Sequence, residues 1–114
     1  MPALRTYLVE DSPLIRENLI ATLEEMTAVE VVGVAEDEAG ARRWLDTEMN
    51  ACDLVIVDIF LRRGSGLGVL QALGVSARRC RRVVLSNFAT PDVRRRCLEL
   101  GADAVFDKSN QIDA

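Results

Sequence analysis

Five short apolar runs alternate along the chain with longer segments whose apolar residues recur every three or four positions. The clearest run is Leu54-Val55-Ile56-Val57, which ends on Asp58. Four consecutive apolar residues, three of them β-branched, predict a strand buried on both faces, as in a parallel sheet. Thr6 to Val9 predicts an earlier strand, Val29 to Ala35 a second, Val83 to Leu85 a fourth and Ala104 to Phe106 a fifth. Between them the period changes. Ile15, Leu19, Leu23 and Met26 keep one face apolar over three turns, behind the cap-and-proline start Ser12-Pro13. Asp37-Glu38 open a second helix with buried side Ala41, Trp44, Leu45 and Met49. A third runs from about Gly66 to Gly74 with Leu67, Leu70 and Leu73 on one face. A fourth starts at Thr90-Pro91-Asp92, carries Val93, Cys97 and Leu100, and stops at Gly101. The alternation predicts right-handed βαβ units and an α/β fold on a parallel sheet.

At 114 residues the chain reads as one domain, 1–114, large enough to fold without a disulfide or metal staple. No apolar run is long enough to span a bilayer, and Met1 to Arg5 do not open a signal peptide. Cys52, Cys80 and Cys97 are odd in number and widely spaced, so they read as free thiols in a reducing, cytoplasmic setting. Histidine is absent, which removes His-dependent triads, His-containing zinc sites and a phosphohistidine donor role. The net charge of −4 argues against direct nucleic-acid binding. The basic residues are arginine apart from Lys108. Arg78-Arg79-Cys80-Arg81-Arg82 reads as a solvated connection and Arg94-Arg95-Arg96 as a solvated helix face, each with acidic-partner docking as the functional alternative.

The strand ends change the picture. In a parallel sheet they lie along one edge, and that edge collects Glu10 and Asp11, Asp58, Ser86 and Lys108. An acid that merely closes a strand explains any one of them, but poorly explains the set. Carboxylates about 5 Å apart repel by roughly 3 kcal/mol per pair at an effective dielectric near 20. A divalent cation relieves that repulsion, and an all-oxygen donor set suits Mg²⁺. Beside it a carboxylate can act as nucleophile toward phosphorus.

Leu8-Val9-Glu10-Asp11-Ser12, Val55 to Leu61 with Gly66, Leu85-Ser86-Asn87, and Gly101-Ala102-Asp103 before Phe106-Asp107-Lys108 together resemble the receiver domain of bacterial two-component response regulators. The resemblance covers nearly the whole chain. It implies a flavodoxin-like five-stranded sheet of order 2-1-3-4-5, closed by a fifth helix that this chain lacks or truncates after Lys108. It implies that Asp58 is the phosphoacceptor and that Mg²⁺ is held by Asp11, by Glu10 mainly through water, by Asp58 and by the Phe60 carbonyl. Ser86 becomes the switch hydroxyl, Phe106 the switch aromatic and Lys108 the phosphate contact. The implied partners are a histidine kinase or phosphotransfer protein and a downstream protein. No membrane partner is implied, and no catalysis beyond the chain's own phosphorylation and dephosphorylation.

Three departures modify these expectations. Arg62 stands where the family often has proline, which predicts a looser loop and an added charge. Asn87 follows the switch hydroxyl where a small residue is usual, which predicts slow autodephosphorylation. A missing fifth helix predicts exposed sheet surface and self-association, such as a homodimer. The competing reading is a phosphorylation-independent interaction module. A small α/β phosphatase or nucleotide binder fits worse, since Asp58-Ile59-Phe60 lacks a second acid and Glu10-Asp11-Ser12 is no anion-accepting loop.

Overall fold

A computed structural model describes residues 3–25, 28–47, 51–75, 79–87 and 89–107. Met26, Met49, Arg78, Lys108 and the segment 111–114, where a fifth helix would begin, lie outside the described residues. The elements run β1 (Leu4–Val9), α1 (Pro13–Glu25), β2 (Val29–Ala35), α2 (Glu38–Asp46), β3 (Leu54–Asp58), α3 (Gly66–Val75), β4 (Arg81–Ser86), α4 (Pro91–Glu99) and β5 (Ala104–Asp107). The five strands form one parallel sheet of order β2-β1-β3-β4-β5, the flavodoxin-like arrangement.

Strand alternation sorts the core into two layers. Val55 and Val57 join Tyr7, Val9, Ala41, Leu45, Val69 and Leu73 on the side of α2 and α3. Val84 and Val105 continue that layer against Leu70 and Cys97. Leu54 and Ile56 point the other way, toward Ile15, Leu19 and Leu23 of α1, with Leu8, Val83 and Leu85 beside them. Trp44 packs as anticipated, stacked on Tyr7 with ring centroids 4.0 Å apart and planes 15° from parallel. Burial in that layer pushes the Tyr7 phenol up to about 12.

Arg79, Arg95 and Arg96 are exposed as expected, but the rest of the described part of each arginine cluster needs correction. Arg81 and Arg82 are not a solvated connection: they form the start of β4, paired with Leu54 and Val55. The Arg82 N–H donates to Asp103 Oδ2 at 2.8 Å, and its Nη2 donates to the Leu73 carbonyl at 3.1 Å. Arg94 is likewise no solvated residue. Its Nε donates to the Ala89 carbonyl at 3.1 Å and its Nη1 to the Val105 carbonyl at 2.8 Å. Arginine's long apolar stem lets the guanidinium reach backbone carbonyls from a partly buried position, which a charge count along the sequence does not reveal.

Candidate functional site

β1 and β3 are hydrogen-bonded neighbours, with Val9 opposite Val57. Glu10 and Asp11, just past β1, therefore meet Asp58 at the end of β3. One carboxylate oxygen from each of the three lies within 4.8 Å of the others. Glu10 is only 1% exposed and Asp58 8%, so little water screens the repulsion expected from the sequence. The three acids line a cleft of about 130 Å³ together with Ser12, Ile15, Phe60 and Asn87.

Backbone donors hold each carboxylate. Glu10 Oε2 accepts from the Ser12 N–H at 3.1 Å, and Arg16 Nη1 donates to the Glu10 carbonyl at 3.1 Å. Asp58 Oδ1 accepts from the Phe60 N–H at 3.2 Å. Asp11 Oδ2 accepts from the Arg62 N–H at 2.9 Å, with Arg62 Nε 3.9 Å away. The donor set fits a hard divalent cation: all the candidate side-chain ligands are oxygens, and two of the three carboxylates are buried. Oxygens of one octahedral shell at about 2.1 Å lie at most about 4.2 Å apart. The 4.8 Å span is thus within a small side-chain adjustment of that shell.

The loop after β3 is tied down from two sides. Ile59 accepts from the Gly66 N–H at 3.0 Å, and Phe60 and Ser65 form an antiparallel bridge. Glu38, at the start of α2, accepts on Oε1 from the Ser65 N–H at 2.9 Å and donates its own N–H to the Arg63 carbonyl at 3.2 Å. Gly64 adopts φ +81°, a left-handed conformation, with the Glu38 side chain closed against it. Gly66 admits no side chain, because a Cβ there would meet the Asp58 carbonyl and Val57. The expected loosening by Arg62 is not found, since its N–H anchors the loop to Asp11, a bond that proline could not make. The added charge is there as expected.

Ser86 ends β4 fully buried, and its neighbour Asn87 lines the acidic cleft. Phe60 is 49% exposed at the rim of the cleft, and Phe106, opposite Leu85, is 40% exposed. Lys108 lies outside the described residues. The sequence pointed to Arg62 only as a departure, and it missed Glu38. Their partners lie 51 and 27 positions away, and no local pattern announces such contacts.

The model of the response regulator receiver domain matches residues 6–114. A gliding motility regulatory protein of Myxococcus xanthus is 31% identical over 109 residues, which cover 92% of this chain and 13% of that protein. The signal receiver domain of the response regulator NarL from Mycobacterium tuberculosis superposes with a TM-score of 0.87, at 24% identity, over 97% of this chain and 88% of that one. A chain of a CheX-CheY-BeF3-Mg²⁺ complex from Borrelia burgdorferi superposes with a TM-score of 0.82, at 18% identity, over 94% and 79%. Identities this low carry the fold alone. The chain spans between 13% and 30% of the length of the curated relatives it matches. No described helix is long and apolar enough to cross a membrane. The chain belongs to the response regulator receiver domains of two-component signalling.

Proposed function

We propose that Asp58 accepts a phosphoryl group in an Mg²⁺-dependent transfer, and that the modified carboxylate repositions the α4 and β5 surface. The convergence of Glu10, Asp11 and Asp58 within 4.8 Å carries this reading. A donor phosphohistidine or small acyl phosphate presents phosphorus to the cleft. An Asp58 oxygen forms the new O–P bond as the bond to the leaving nitrogen or oxygen breaks, and the leaving group keeps the electron pair. The Phe60 N–H holds one Asp58 oxygen, so the carboxylate enters the reaction in one orientation. Glu10, Asp11, Asp58 and the Phe60 carbonyl would hold the cation, which when bound offsets charge on the phosphoryl oxygens.

Ser86 supplies the hydroxyl that follows the new phosphoryl oxygens, and Phe106 turns from its half-exposed position into the space released. Lys108, directly after β5, is the phosphate contact. Asn87 narrows the approach of attacking water, so the acyl phosphate is long-lived. The donor is a histidine kinase or phosphotransfer protein in the cytoplasm, and the output is a protein contact rather than a second chemical reaction. Intact mass after incubation with acetyl phosphate tests the reading. The expected result is an Mg²⁺-dependent gain of one phosphoryl group that Asp58→Asn abolishes. No gain under any condition would favour the phosphorylation-independent module instead.

A further inference from the structure

Asp11 faces three adjoining hollows. One is the acidic cleft with Glu10 and Asp58; a second runs beneath the loop after β3; the third, of about 260 Å³, is lined by Asp11, Glu36, Asp37, Arg62 and Arg63. Arg62 borders the second and third, and its side chain is 86% exposed. The contact with Asp11 is made twice on one oxygen, by the Arg62 N–H at 2.9 Å and by Nε at 3.9 Å. The first is a hydrogen bond and the second a longer ion pair. The N–H is fixed by the loop and stays whatever the side chain does. The guanidinium is on a flexible stem and leaves easily, because exposed ion pairs are weak.

We propose that Arg62 is a tethered counter-ion of the acidic cluster, which competes with the divalent cation for Asp11 and sets the cation's affinity. This rests on the reading that the cluster holds Mg²⁺. When a divalent cation binds, the guanidinium swings from Asp11 toward the acidic rim of Glu36 and Asp37, which line the same hollow. A chain with this residue binds the cation more weakly than one without the guanidinium. Arg62 is a positioning residue: it acts through Asp11 and touches no reacting atom.

Calorimetric titration with Mg²⁺ alone, on the unphosphorylated chain, tests this. Arg62→Ala removes the guanidinium and keeps the N–H, and should tighten Kd about three- to tenfold, the range expected for one nearby positive charge partly screened by water and salt. Arg62→Lys should bind like the parent. Arg63→Ala, which removes the neighbouring charge, should leave Kd unchanged, and added salt should shrink the Arg62→Ala effect. Equal Kd for the parent and Arg62→Ala overturns the proposal while leaving the Mg²⁺ site intact. An equal tightening in Arg63→Ala also overturns it, since the effect would then be a general field. Absence of binding in the parent and in Arg62→Ala alike overturns both this proposal and the Mg²⁺ reading.

Discussion

The connections after β3 and after β4 leave the same edge of the sheet and are held in opposite ways. Residues 59–65 are fixed by carboxylates that reach in from other elements, Asp11 onto the Arg62 N–H and Glu38 onto the Ser65 N–H. Residues 89 and 90 lead into α4, where the Thr90 hydroxyl accepts from the Val93 N–H at 3.3 Å. One cation, Arg94, ties the Ala89 carbonyl to the Val105 carbonyl of the edge strand β5. The first connection follows the proposed acceptor Asp58 and is braced at several points. The second leads to the proposed switch surface, and among its described residues the Thr90 cap and the Arg94 side chain hold it. The proposed function makes use of this division: a preorganised acceptor beside a responding surface with two arrangements that differ by a few kcal/mol.

Breaking the braced side should cost most. Gly66→Ala pushes a methyl group into the Asp58 carbonyl and Val57, and denaturant unfolding should report a loss of about 3 kcal/mol. Glu38→Ala strands the Ser65 N–H and removes the side chain packed against Gly64, for a loss of about 1–3 kcal/mol by the same method. Arg94→Ala should cost about 1 kcal/mol in stability, yet speed amide exchange at 104–107 far more than at 59–65. A uniform rise in exchange across both segments would erase the contrast.

The smallest effect belongs to the scaffold beneath both connections. Tyr7 has its phenol raised from 10.0 to about 12 by burial, so the neutral form stabilises the fold. That contribution is complete below pH 10 and is lost as pH rises toward 12. Tyr7→Phe should therefore flatten the fall in unfolding free energy over that window.

The strands and helices are legible because the strands are short apolar runs and the helices repeat every three or four residues. The β3 run 54–58 and β2 at 29–35 have the bounds that the apolar pattern predicts, and Thr90-Pro91 marks the start of α4 by its own chemistry. The acidic cleft was legible too, since parallel pairing places strand ends side by side. What the sequence hid were the arginines and Glu38. A guanidinium that caps carbonyls in a half-buried seam looks, residue by residue, like any solvated charge. The sequence pattern therefore does not distinguish Arg82 and Arg94 from surface charges, nor does it show that the Arg62 N–H anchors the loop. Ser86 ends β4, the strand end that the apolar run points to, and the next residue, Asn87, lines the cleft.

The most direct test of the account is amide hydrogen exchange of the chain in Mg²⁺, before and after acetyl phosphate, with Asp58→Asn alongside. The account predicts that protection at residues 59–65 stays nearly constant, while protection at 89–94 and 104–107 changes in the parent and not in Asp58→Asn. Change concentrated at 59–65, or the same change in both proteins, would contradict it.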